Sequence, residues 1–224
     1  MGTTGRIIVV VGPSGAGKDS LIGYAKTAFS GHPNVRFVRR VITRPCDGAT
    51  EDHASMTPEA FAAARDAGGF AVTWAAHGLE YGIPAEHRAF VESGGVAIAN
   101  GSRPALSLFD KVFAAMTVVN VTARPEIRAE RLQARGRESR EEILERLARS
   151  TMDVHGDFDV VNIDNSGALA EAGEMLVRVI RDSLARSFSV RRRLRRGSSP
   201  PRRRQSSRSR PRRRYRDSGA GRAR

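Results

Sequence analysis

The stretch that most constrains this chain is residues 7–20, where an apolar run leads directly into a glycine-rich turn. Residues 7–11 are all β-branched, and a Gly-x-x-x-x-Gly-Lys pattern ending at Lys18 follows them. Glycines let the backbone turn tightly and point its N–H groups at a phosphate, while the next helix adds its positive end and the lysine a charge. The stretch therefore predicts a nucleotide-binding phosphate loop made of Gly12, Pro13, Ser14, Gly15, Ala16, Gly17, Lys18, Asp19 and Ser20.

The residue after Lys18 departs from the usual pattern, in which a Ser or Thr hydroxyl binds Mg²⁺. This chain has Asp19 there, followed by Ser20. Two interpretations stay open. Asp19 binds Mg²⁺ directly or through a water, or it faces away at the helix start and leaves the metal to Ser20 or to water. We expect the metal role, because a carboxylate next to a triphosphate is repelled unless a cation lies between them.

Short apolar runs alternate with helical patterns along the chain. The strands are predicted near residues 7–11, 35–42, 70–76, 96–99, 117–121 and 160–163, and the helices near 20–29, 57–67, 85–93, 104–109, 125–134, 139–151 and 168–185. This alternation predicts an α/β fold of the P-loop NTPase type, with a parallel sheet flanked by helices on both sides. Ligands bind at the carboxyl ends of the strands in such sheets.

Polar residues concentrate where these strands end. They include Arg40, Thr43, Arg44, Tyr81, Asn100, Ser102 and Arg103. An arginine fork binds two phosphate oxygens at once, so the strand ends predict a second phosphate-binding region beside the loop.

A further arginine cluster spans a predicted helix, a break and a second helix. Its members are Arg131, Arg135, Arg137, Arg146 and Arg149. A single arginine is usually a surface charge, but this arrangement is typical of a lid that closes over a transferring phosphoryl group. No general base accompanies it, which favours a phosphate as the acceptor. Catalysis then rests on ATP, Mg²⁺ and positive charge, with Lys18, Arg135, Arg137 and Arg146 as the candidate catalytic residues.

Residues 5–183 resemble the guanylate-kinase-like branch of the nucleoside-monophosphate kinases. The resemblance rests on the loop and on segments 41–45, 80–82, 131–138, 146–147 and 162–164. It implies a small acceptor-binding segment and a helical lid. Two departures count against guanine as the acceptor: Val72 or a neighbour stands near the position of the family's guanine-reading Glu, and Ile83 replaces a Ser.

Within this branch the chain is more similar to the ribose 1,5-bisphosphate phosphokinase subfamily. It shares Asp19, His53, Trp74 and segments 78–82, 100–103 and 135–138 with it. The resemblance implies ATP-dependent phosphorylation of ribose 1,5-bisphosphate to 5-phosphoribosyl 1-diphosphate, in phosphonate breakdown. The implied contacts to this phosphorylated sugar are Arg40, Arg44, His53, Tyr81, Asn100 and Arg103. Guanylate kinase or another nucleoside-monophosphate kinase remains an alternative, as does a nucleic-acid-binding protein with a vestigial P-loop.

The charge of the chain is divided unevenly. Residues 191–224 hold 16 of the 38 basic residues and one of the 24 acidic ones, so the rest is nearly neutral. We predict a kinase domain at 1–188 and a disordered Arg/Ser-rich tail at 189–224, capable of non-specific polyanion binding. A single cysteine, no charged-then-apolar leader and no membrane-length apolar run predict a cytoplasmic protein.

Overall fold

A computed structural model describes residues 5–45, 52–134, 154 and 156–197. Besides a 3-10 turn at Arg103–Ala105, these ranges contain nine strands and six α-helices. In chain order they are β1 (Arg6–Val11), α1 (Lys18–Ala28), β2 (Val35–Phe37), β3 (Val41–Ile42), β4 (Ala54–Ser55), α2 (Pro58–Asp66), β5 (Phe70–Ala76), β6 (Leu79–Pro84), α3 (Glu86–Glu92), β7 (Val96–Asn100), α4 (Leu106–Val112), β8 (Met116–Thr122), α5 (Pro125–Ala134), β9 (Asp159–Asp164) and α6 (Leu169–Gly197).

The main sheet is parallel, as predicted, with strand order β2-β7-β1-β8-β9. Its central strand β1 is almost wholly buried, which explains its uninterrupted run of β-branched residues. Residues facing one side of the sheet pack with α1 and α6, and residues facing the other side pack with α3, α4 and the second sheet. The phosphate loop begins at the carboxyl end of β1, so it lies at the middle of the carboxyl edge of the main sheet.

The structure also contains a second, mixed sheet with strand order β4-β3-β6-β5. Two predicted strands are placed differently because of it. The strand predicted at 35–42 is split: β2 joins the main sheet and β3 joins the second one. The strand predicted at 70–76 forms β5, but it pairs antiparallel with β6 rather than entering the parallel sheet. The connection between β5 and β6 is two residues long, and both have positive φ, 54° at His77 and 70° at Gly78. This is the backbone geometry that a tight hairpin requires.

The last helix differs from the prediction in length. α6 continues to Gly197, so residues 189–197 are helical although the sequence predicted disorder from 189 onward. Residues 198–224 lie outside the described residues, and so does the helix predicted at 139–151. None of the helices in the described ranges is long and apolar enough to cross a membrane.

Candidate active site

The phosphate loop has the backbone geometry that its glycines predict. Gly12, Gly15 and Gly17 have φ of 152°, 79° and 84°, values that only glycine adopts easily. A Cβ at Gly12 would overlap the carbonyl oxygen of Val121, and one at Gly15 would lie 2.9 Å from the carbonyl oxygen of Arg128. The loop is therefore both turned and closely packed, which fixes the direction of its N–H groups.

Lys18 begins α1, and its side chain extends back over the loop. Nζ donates to the carbonyl oxygens of Gly12 at 2.9 Å and Pro13 at 3.3 Å. The ammonium group is thus held at the start of the loop, where it can reach the terminal phosphates of a nucleotide bound by the loop's N–H groups. Ser20, two residues further on, is exposed.

Asp19, in the first turn of α1, contacts Asn100 at the carboxyl end of β7. The Nδ2 group of Asn100 donates to Oδ1 of Asp19 at 2.6 Å. The main-chain oxygen of Asn100 also accepts a hydrogen bond from Nη1 of Arg40 at 3.1 Å. Three of the residues predicted from the sequence therefore meet at one point beside the loop.

The segment predicted to bind the acceptor is built on a stack of aromatic rings. The ring centroids of Trp74 and Tyr81 lie 5.3 Å apart at an interplanar angle of 7°, and Phe109 packs on the indole at 5.8 Å. The guanidinium carbon of Arg40 lies 5.1 Å from the centroid of the Tyr81 ring. Cation–π contact with a ring that is itself held by stacking restricts where the Arg40 charge can lie.

Val72 and Ile83 are directly opposite each other on β5 and β6. Both belong to the core, with exposed fractions of 4% and 0%. The sequence places them near the guanine-reading positions of guanylate kinases, and in the structure these positions carry buried apolar groups. They provide no hydrogen-bond partner for a nucleobase.

Asn120 connects the Arg103 region to the edge of the main sheet. Arg103 Nη2 donates to Oδ1 of Asn120 at 3.2 Å, and Asn120 donates in turn to Asn162 on β9 at 2.9 Å. Arg103 thus lies at the carboxyl edge as predicted, with its guanidinium oriented in part by a neutral amide.

Sequence reasoning missed Arg128, which supports the loop from α5. Its side chain is 5% exposed, and Nε donates to the carbonyl oxygen of Ser14 at 3.0 Å. Burial, and secondarily the charge of Arg103, lower the pKa of Arg128 below its ordinary value. In the sequence it is one arginine among many on a helix, so no local signal distinguishes it.

Two further residues bind the other half of the loop. Asn165, 2% exposed, donates from Nδ2 to the carbonyl oxygen of Ala16 at 2.8 Å, and its own carbonyl accepts from Nη2 of Arg131 at 2.9 Å. Arg131 was predicted as part of the lid cluster, and the structure places it at the loop. Asn165 follows the Asn162–Asp164 match and was not singled out in the sequence.

The structure describes two of the remaining predicted residues and leaves three outside its described ranges. His53 is fully buried, and its carbonyl oxygen accepts from Arg39 at 3.0 Å. Arg44 is half-buried just after β3. Arg135, Arg137 and Arg146 lie outside the described residues, so their place in the lid stays a prediction.

The residues around Asp19 fit a magnesium ion bound mainly by a nucleotide. Within the described ranges, no group of three or more His, Cys, Asp or Glu side chains comes together. Asp19 and the buried Oδ1 of Asn100, for which no hydrogen-bond partner is found among the described residues, are the hard oxygen donors beside the loop. Such a set is too small for a protein-only site, but it is typical of Mg²⁺ held by one carboxylate together with substrate phosphates.

The phosphate loop, the parallel sheet and the arginine-bearing acceptor segment define a P-loop kinase of the guanylate-kinase-like fold. Guanylate kinase from Anaplasma phagocytophilum shares this fold with a TM-score of 0.54, at 16% identity, over 81% of this chain and 87% of that one. No protein-family model matches the chain.

The sequence comparison is more specific. Ribose 1,5-bisphosphate phosphokinase PhnN of Agrobacterium fabrum is 52% identical over 181 residues, 81% of this chain and 99% of that protein. The protein of the same name from Rhizobium etli is 50% identical over 81% of this chain and 92% of its own length. The chain belongs to the ribose 1,5-bisphosphate phosphokinase family.

Proposed function

We propose that the protein transfers the γ-phosphoryl group of ATP to the 1-phosphate of ribose 1,5-bisphosphate, giving 5-phosphoribosyl 1-diphosphate and ADP. The name of its relatives states the acceptor. The observation that carries the proposal is the pairing of a phosphate loop with an acceptor side that presents Arg40 over Tyr81 but buries Val72 against Ile83. The Arg40 guanidinium supplies positive charge for a phosphate, and the buried side chains of Val72 and Ile83 offer no hydrogen bond to a nucleobase.

In the transfer, an oxygen of the acceptor 1-phosphate attacks the γ-phosphorus, and the bond to the β–γ bridging oxygen breaks so that ADP leaves. The attacking oxygen is already anionic, so no side chain has to remove a proton. A bound Mg²⁺ would neutralise charge on the β- and γ-phosphates. Asp19 is the residue of this chain best placed to hold it.

The protein's own groups act by position and charge. Loop N–H groups and Lys18 hold the donor phosphates. Arg128 and Asn165 stabilise the loop conformation by donating hydrogen bonds to its carbonyl oxygens. Arg40, Arg44 and Arg103 bind the acceptor phosphates. Arg135, Arg137 and Arg146 close from the lid and stabilise the charge that develops in the transition state.

A coupled assay of ADP release tests the proposal directly, with ribose 1,5-bisphosphate and GMP offered separately under the same conditions. We expect turnover with the ribose compound, and phosphorus NMR should show a diphosphate at carbon 1. Turnover of GMP without turnover of the ribose compound would instead establish the guanylate kinase alternative. Absence of transfer to either acceptor would contradict both.

A further inference from the structure

Asn100 lies where the nucleotide side and the acceptor side of the site meet. It is the last residue of β7, 9% exposed, and lies opposite Val10 in the register with β1. The next residue, Gly101, donates its N–H to the carbonyl oxygen of Val10 at 2.9 Å. The backbone of Asn100 is thus fixed by the central strand of the sheet, from which the phosphate loop also begins.

From this fixed position Asn100 makes two contacts in different directions. Its side-chain Nδ2 donates to Asp19 in the first turn of α1, at 2.6 Å. Its main-chain oxygen accepts from Nη1 of Arg40 at 3.1 Å, and Arg40 lies over the ring of Tyr81. One residue therefore orients both the carboxylate beside the nucleotide and an arginine of the acceptor side.

The chemistry of the pair is asymmetric. An ionised carboxylate only accepts hydrogen bonds, whereas an amide both donates and accepts. The amide can therefore hold the Asp19 carboxylate without adding charge to a place that must receive phosphates. A second carboxylate at this distance would repel the first.

We infer that Asn100 is a positioning residue, rather than the direct sugar-phosphate contact expected from the sequence. It holds the Asp19 carboxylate toward the metal of the bound nucleotide. This inference rests on the proposed use of Mg-ATP, but it does not depend on the identity of the acceptor.

The test removes the two side-chain groups separately and together. Asn100→Leu keeps the approximate size of the side chain and removes the amide, and Asp19→Asn removes the carboxylate. The double variant of Asp19→Asn with Asn100→Leu completes the cycle. Asn34→Leu is the matched control, since it makes the same replacement in the segment before β2, at the opposite edge of the sheet.

The readout is the affinity for ATP at increasing Mg²⁺, measured by isothermal titration calorimetry without acceptor. Each single variant should need about tenfold more Mg²⁺ for half-maximal ATP affinity, the scale of a coupling between contacting groups. Adding Asn100→Leu to Asp19→Asn should change the Mg²⁺ requirement little further, because the amide acts through a carboxylate that is already gone, and Asn34→Leu should match the wild type.

Melting temperatures show which variants are folded. If Asn100→Leu does not fold, Asn100→Ala takes its place in the same cycle. A double variant that needs clearly more Mg²⁺ than Asp19→Asn, or single variants with unchanged Mg²⁺ titrations, would overturn the inference. Wild-type turnover of ribose 1,5-bisphosphate is measured separately, so failure of the proposed function is distinguishable from failure here.

Discussion

The Nε group of Arg128 donates to the carbonyl oxygen of Ser14 at 3.0 Å, which bonds helix α5 to the middle of the phosphate loop. Arg128 is buried, and its backbone also lies against Gly15, where a Cβ would come within 2.9 Å of the Arg128 carbonyl oxygen. The phosphate loop and helix α5 therefore form one packed unit.

Replacing Arg128 with Met should therefore weaken both stability and ATP binding. Met keeps the apolar stem but leaves the Ser14 carbonyl without its charged donor, a loss of about 1–3 kcal/mol in the free energy of unfolding. Urea denaturation measures it, with Arg178→Met on the exposed face of α6 as the control. Equal free energies of unfolding for the two variants would show that the hydrogen bond from Arg128 to Ser14 does not contribute to stability.

The loop glycines should be intolerant of even a methyl group. At Gly12 the added carbon would meet a main-chain oxygen that no rotamer change can move, and φ is 152°. We expect Gly12→Ala to destabilise the protein by about 1–3 kcal/mol. Gly23→Ala is the matched comparison, because Gly23 is helical and has nothing within 4 Å of the new Cβ. It should stabilise α1 by about 0.5–1 kcal/mol. The melting temperature should therefore fall in Gly12→Ala and rise in Gly23→Ala.

Lys18→Ala should nearly abolish phosphoryl transfer while leaving the fold nearly unchanged. The ammonium group donates to carbonyl oxygens of the half-buried loop, where water can replace it. Losing this charge partner of the transition state should lower kcat by at least roughly 10²–10³-fold. Lys26→Ala, at the exposed end of the same helix beside Asp52, is the control and should retain full activity. A melting temperature reduced only in Lys18→Ala would contradict the assignment of a purely chemical role.

The sequence predicted the main sheet well because its signals are local. β-Branched runs, turn glycines and capping residues each act over a few positions, and they located β1, β7, β8 and β9. The hairpin of β5 and β6 was missed although Gly78 marks its turn. His77 also adopts a positive φ in this turn, and a histidine in a sequence does not by itself predict a positive φ.

The supporting residues of the site could not be predicted in the same way. Arg128 and Asn165 contact the loop because the fold brings its carbonyl groups to them from segments 114 and 149 positions away in the chain. Asn100 was recognised as a site residue, but its direction toward Asp19 depends on how α1 packs over the strand end. Side-chain direction at a strand end is a tertiary property.

Arg44 should act on the acceptor rather than on ATP. It is half-buried directly after β3, in the short segment that also carries Arg40. Arg44→Ala should raise the KM for ribose 1,5-bisphosphate by about tenfold or more, the scale of one lost charged hydrogen bond, with the KM for ATP unchanged. Steady-state kinetics with each substrate varied in turn measures this, and Arg88→Ala on the exposed side of α3 is the control. An unchanged acceptor KM would remove Arg44 from the acceptor site.

The last prediction concerns His87, a buried histidine on α3 that the proposed chemistry does not use. Its exposed fraction is 6%, and burial lowers its pKa below the ordinary value of 6.5, while Glu86 raises it and Arg36 lowers it to smaller extents. Arg36 itself lies over the ring of Phe90 at 4.2 Å, so positive charge is already fixed beside this helix.

The lowered pKa makes stability depend on pH with a definite sign. Below about pH 6.5 the unfolded chain binds a proton at His87 that the folded protein does not yet accept, so the free energy of unfolding falls as the pH falls. Above that pH the contribution is fully present. His87→Gln should therefore flatten the decline of stability between about pH 7 and pH 5, whereas the exposed His77→Gln should leave it unchanged. Urea denaturation across this range measures the slope, and identical slopes for wild type and His87→Gln would mean that His87 titrates normally in the folded protein.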